Sequence, residues 1–137
     1  MMTGDYIKHN GKVVKVTQDN CYDIVDIENH TMNNICVQAP NIMLDADILL
    51  ACGFTQDHEH KNRFNWSIQN ESLMISGEVL FDLSPLKQIC NLIFTLATAT
   101  MKISKSIMVL SELQDFIRIN TGLELPIDFK RLTEVVK

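Results

Sequence analysis

The chain reads as one α+β domain: a small N-terminal antiparallel barrel or curled sheet, a short central helix, further antiparallel strands and a C-terminal helix. Three observations predict this. Alternating runs flank Asn10-Gly11, polar and apolar residues alternate again from Arg63 to Ile68, and residues 111–120 carry apolar side chains at helical spacing. An Asn-Gly pair tolerates the positive φ angles of a two-residue hairpin turn, so Tyr6 is expected opposite Lys15, Ile7 opposite Val14 and Lys8 opposite Val13. Ile7, Val14 and Val16 then share one face. Tyr6, Lys8, Val13 and Lys15 share the other.

Beyond the polar break at Thr17 to Asn20, Cys21 to Asp26 reads as a third strand and Ile35 to Gln38 as a fourth, ended by Pro40. Such short strands favour a curled, partly open barrel, which limits free edges. Asp45 suits a helix N-cap, Ile48, Leu49 and Cys52 supply the apolar stripe, and Gly53 suits the left-handed position after the last turn, with Phe54 folding back. A polar loop from Thr55 to Asn62 leads into the strand Arg63 to Ile68. Leu73 to Phe81 reads as its partner, with Gly77 suggesting a bulge. Ser84-Pro85 suits the start of a helical turn over Leu86 to Cys90, Leu92 to Met101 reads as a strand and Ile107 to Val109 as a last short one. Ser111 is the expected cap of a helix with Leu113, Phe116, Ile117 and Asn120 on one face, stopped by Gly122. Residues 1–125 are taken as the domain and 126–137 as an amphipathic extension, with Phe129, Leu132, Val135 and Val136 at helical spacing.

Composition narrows the function classes. The 137 residues are 46% hydrophobic and 21% charged, a globular balance, and the net charge of −5 disfavours a partner bound mainly through its negative charge, such as duplex DNA or an anionic membrane. The N-terminus lacks a basic segment followed by an apolar one, and the densest apolar run, Leu92 to Ala97, is too short to cross a bilayer. A cytoplasmic protein is expected. Cys21, Cys36, Cys52 and Cys90 are widely spaced and read as reduced core residues.

Two segments resemble a known group. Leu44 to Phe54, ending Cys52-Gly53-Phe54, is similar to the central helix of an uncharacterised family of small proteins from gut Bacteroidetes, their phages and mobile elements, a helix that ends in Lys-Cys-Gly-Phe or a near variant. Val109 to Phe116 followed by Asn120-Thr121-Gly122-Leu123-Glu124-Leu125 is similar to its closing helix and Leu-Thr-Gly-x-Glu-Leu tail. Gly4-Asp5 stands where that family starts a strand with Gly-Asn or Gly-Asp. The likeness spans Gly4 to about Leu125 and departs in Asp82 to Lys105 and after Leu125. It implies a bacterial or phage origin, and the family brings no assigned activity.

Candidate sites are few. Asp57-His58-Glu59-His60 has metal-ligand residue types, but neighbours on one loop seldom converge on one ion, so a solvated loop tip is expected and no metal. Tyr6, Lys8, Lys12 and Lys15, with His9 and Arg63, form a basic aromatic set of the kind that stacks bases and tracks phosphates, or alternatively the polar outer side of a hairpin. Phe129, Leu132 and Val136 form an apolar stripe that docks either on its own domain or on a second chain. No phosphate loop, nucleophile elbow, H-E-x-x-H or catalytic-cysteine signature is present, and Cys52 with His58 and His60 is the one conceivable thiol and base combination. The expectation is a non-catalytic interaction protein, without cofactor or membrane, that engages a protein partner, with self-association a further expectation. Single-stranded nucleic-acid binding through the hairpin face and sequestration of a small ligand such as a nucleotide are the alternatives.

Overall fold

In a computed structural model, which describes residues 2–9, 11–19, 42–70, 73–81, 88–96 and 99–136, the protein is a mixed α+β fold. Strands β1 (Tyr6–His9) and β2 (Lys12–Lys15) form a separate two-stranded sheet in the expected register. Helix α1 (Ala46–Ala51) follows, then an antiparallel meander of β3 (Thr55–Gln56), β4 (Arg63–Asn70), β5 (Leu73–Phe81), β6 (Gln88–Leu96) and β7 (Ala99–Ser106), in the spatial order of the chain. Helices α2 (Leu110–Thr121) and α3 (Phe129–Val135) complete it.

The meander is one hairpin after another, and its registers run without interruption. Cross-strand rows on its inner face are therefore Phe64, Val79, Cys90, Lys105, then Trp66, Gly77, Leu92, Ile103, then Ile68, Ile75, Phe94, Met101. Buried members of these rows join Ile48, Leu49 and Ala51 of α1, Leu110, Leu113, Phe116 and Ile117 of α2 and Leu132 of α3 in one core. The rows fade toward β7, whose residues are exposed apart from a half-buried Ile103. On the outer face Asn65, Glu78, Asn91 and Ser104 align, and Asn91 donates to Glu78 Oε1 (3.3 Å) while accepting from the Ser104 hydroxyl (2.6 Å). Those bonds satisfy the Asn91 amide, which is buried.

The α1 end explains the Cys52-Gly53-Phe54 run. Asp45 Oδ1 accepts from Ile48 N–H at 2.8 Å, and at the other end Phe54 N–H donates to Leu49 O (3.1 Å) and Gly53 N–H to Leu50 O (3.3 Å), the paired bonds of a left-handed stop. Gly53 has φ +89°, and a Cβ there would lie 2.6 Å from Pro126 Cγ. The tail crosses at this point. Asp128 N–H donates to Ala51 O at 2.9 Å, so the start of α3 closes the end of α1.

Several expectations are corrected. Among the described residues no barrel closes: the hairpin and the meander are two separate sheets, and each meander strand pairs only with its neighbours in sequence. Both hairpin faces also lose solvent, with Val13 in the main core and Ile7 and Val16 in a small second cluster. Gly77 makes no bulge; it stands opposite Trp66, whose Cε3 would be 3.2 Å from any Cβ, so the missing side chain makes room for the indole. Gln88 to Cys90 are strand, not helical turn, and the stretch from Leu92 to Met101 is divided between β6 and β7, with Leu96 pairing Ala99. Thr55 and Gln56 pair with Asn65 and Phe64, which shortens the loop. The strand expected at Ile107 to Val109 is reduced to one bridge, Met43 to Val109. Val109, not Ser111, is the N-cap of α2, because the Leu110 N–H is already satisfied by Ile42 O at 2.8 Å. The strands expected at Cys21 to Asp26 and Ile35 to Gln38, and the turn at Ser84-Pro85, lie outside the described residues.

Candidate functional site

The hairpin and the tail, far apart in sequence, meet. Tyr6 and Phe129 have ring centroids 5.9 Å apart at 35°, and Lys15 Nζ lies 5.9 Å from the Tyr6 centroid. Strand pairing places Tyr6 beside Lys15, and the Asp128 cap, whose Oδ1 accepts from Arg131 N–H at 3.2 Å, starts α3 with Phe129 over that pair. Leu132 is wholly buried and Val136 half-buried against the core, while Phe129 keeps 49% of its surface exposed. Lys12 and Lys15 are exposed and Lys8 half-buried. The tail thus takes up one side of the Tyr6 ring. Lys15 also lies near enough to Glu124 to help hold that carboxyl below its usual range, after the larger effect of Arg118.

Arg63 stands apart from this face. It leads β4 out of the loop 57–62, with its guanidinium 3.6 Å from Asp57 and 3.7 Å from Glu78, while its buried Nε has no hydrogen-bond partner among the described residues. Asp57 Oδ1 accepts from the Glu59 N–H at 2.9 Å, and that bond, followed by the charges of Arg63 and His60, holds the half-buried carboxyl below its ordinary value. An open cleft of about 340 Å³ lies here, lined by Glu59, His60, Lys61, Asn62, Arg63 and Leu80. Among the described residues no three His, Cys, Asp or Glu side chains come together as a metal site. Cys52 and Cys90 are free and fully buried, and burial pushes both thiols up to about 12, so neither carries the thiolate that a nucleophile requires.

The densest polar constellation escaped the sequence reading. Arg118 on α2 donates to Asp5 Oδ1 (2.9 Å), Asp115 Oδ1 (3.1 Å) and, through Nε and Nη2, to both Glu124 oxygens (2.6 and 3.0 Å). One turn earlier, Gln114 accepts from Tyr6 N–H at 2.8 Å and donates to Gly4 O at 3.2 Å. These bonds bind the chain start to α2. Asp5 is fully buried, and burial with the neighbouring Asp115 raises its carboxyl to about 6 despite the Met2 N–H and Arg118 donors. Polar Gln114 and Arg118, four residues apart beside the stripe Leu110, Leu113 and Ile117, are the sequence signal that could have found it.

The remaining feature is β7 itself. Its eight residues pair with β6 on one side, and among the described residues no strand lies beyond its other edge. Met101 is 58% exposed, and Lys102 and Lys105 are exposed on opposite faces. Among the described residues no helix is long and apolar enough to cross a membrane. No protein-family model, curated protein or solved structure matches the chain.

Proposed function

We propose that this is a non-catalytic interaction protein of bacterial mobile-element or phage origin, acting in the host cytoplasm by engaging a protein partner. The observation that carries the reading is β7: among the described residues it is an eight-residue edge strand, exposed on both faces apart from half-buried Ile103, and it offers a row of backbone donors and acceptors for an added strand. Reduced, buried Cys52 and Cys90 agree with a reducing compartment, and their protonated thiols with the absence of thiol chemistry. The origin rests on the resemblance of residues 44–54 and 109–125. Hairpin-face binding of nucleic acid is the weaker reading, because Phe129 already covers part of Tyr6 and Glu124 lies near Lys15.

The test uses the full chain as bait in a Bacteroidetes lysate, beside variants Met101→Pro and Lys102→Pro. Neighbouring residues of a strand point their N–H groups to opposite edges, so one of the two removes only an outward donor and keeps the fold. A protein held by the intact chain, cross-linked to residues 99–106 and lost from the folded proline variant, is the expected result. Identical retention by the intact chain and the folded proline variant would overturn the proposal.

A further inference from the structure

Resting on that reading, we infer that the occupant of the β7 edge is an extended acidic segment of another protein, added antiparallel as a sixth strand of the meander. β7 carries Lys102 and Lys105 and no acidic residue. Register places Lys102 in line with Ile93 on the outer face and Lys105 in line with Cys90 on the inner one, so an added strand meets a cation on each side. Met101 and Ile103 lie on the inner face beside Lys105, and Met101 is 58% exposed. Read in its own direction, an antiparallel occupant thus needs an acid opposite Lys105, an apolar residue opposite Ile103, a second acid opposite Lys102 and an apolar residue opposite Met101.

Edge lysines ordinarily repel strands, and that same repulsion decides between occupants. A second copy of this chain would bring four ammonium groups into one two-strand ribbon with no carboxylate from either β7. A two-fold pairing centred on Lys102 sets those lysines face to face; centred on Ile103, it sets Lys105 against Met101. Neither neutralises the edge. An acidic strand neutralises both lysines while completing the backbone ladder, and the apolar pair fixes which face turns inward.

The probe is a capped, fluorescein-labelled peptide containing Glu-Thr-Val-Glu-Val-Thr, with Lys-Thr-Val-Lys-Val-Thr as its counterpart, each titrated by anisotropy against the full chain. The acidic peptide is expected to bind at least severalfold more tightly, to weaken as salt rises, and to lose its advantage to the lysine peptide when the chain carries Lys102→Glu and Lys105→Glu. Circular dichroism checks that this doubly substituted chain remains folded. Equal binding of both peptides, or of neither, would overturn the inference, as would a concentration-dependent dimer in sedimentation that the double substitution abolishes. If the peptides fail while the folded proline variant still loses its cross-linked host protein, the acidic occupant falls and the interaction role stands. If the intact chain and the folded proline variant retain the same proteins, the interaction role falls as well.

Discussion

Charge is handled in opposite ways in two regions of this molecule. Around Arg118, one guanidinium meets three carboxylates, Asp5 is fully enclosed and every donor nitrogen has a partner. Along β7, two cations of one sign stand in water with no acid on the same strand. The contrast follows from solvation: an unpaired ion is tolerated at a wet edge and costly where it is enclosed, so Asp5 needs its partner while the two lysines stand without one on their own strand.

The comparison can be broken at its enclosed end first. Arg118→Met strands Asp5 beside Asp115 and frees Glu124, and is expected to cost about 3–5 kcal/mol in chemical denaturation. A loss as small as a surface substitution would show the clamp to be ornamental. Leu132→Ala empties a fully buried position that ties the tail to the core and should cost about 2–5 kcal/mol, while Phe129→Ala, at a half-exposed ring, should cost clearly less. Gly77→Val pushes on the Trp66 ring and should destabilise by about 1–3 kcal/mol, with a change in tryptophan fluorescence.

The pH dependence sharpens the same contrast. Because the folded Asp5 carboxyl is raised from 3.8 to about 6, the folded state binds that proton more tightly than the unfolded chain. Stability from this group is full below 3.8 and is lost as pH rises through about 6, with a slope of at most about 1.4 kcal/mol per pH unit. Asp5→Asn should flatten that window in denaturation curves taken across it, and an unchanged slope would show that Asp5 is not the titrating group. Glu124, held low by Arg118, works in the other sense and only in more acid solution. At the wet end, Lys102→Thr with Lys105→Thr should move stability by less than about 0.5 kcal/mol.

What could be read in advance depended on how local the cause was. The hairpin register, the α1 stop at Gly53, the Arg63 and Leu73 strands and the apolar face of α2 each follow from a few neighbouring residues. Gly77 was misread because a strand glycine has two explanations, and the cause lay across the sheet in Trp66. Ser111 was misread as a cap because the competing acceptor, Ile42 O, comes from a distant segment. The region from Leu86 to Ser106 mixes strand and helix formers, and the pairing of β6 with both β5 and β7 overrode those preferences. Among the candidate residues, Tyr6, Lys15 and Phe129 were named on two segments with no hint that they touch, and of the two readings of the tail stripe the burial of Leu132 in the core is docking on its own domain.

By itself the amino-acid order determined the class of fold, the register of β1 with β2, both ends of α1 and the Gly122 stop of α2, and the alternation that gives each strand two unlike faces, because dihedral preference and hydrophobic period act over a few residues. Tertiary structure decided that both faces of the hairpin lose solvent, that Arg118 reaches Asp5 across the chain, and that among the described residues β7 is left as the edge. Those outcomes depend on which surfaces exclude water together, and burial is a property of the assembled layers rather than of any short stretch.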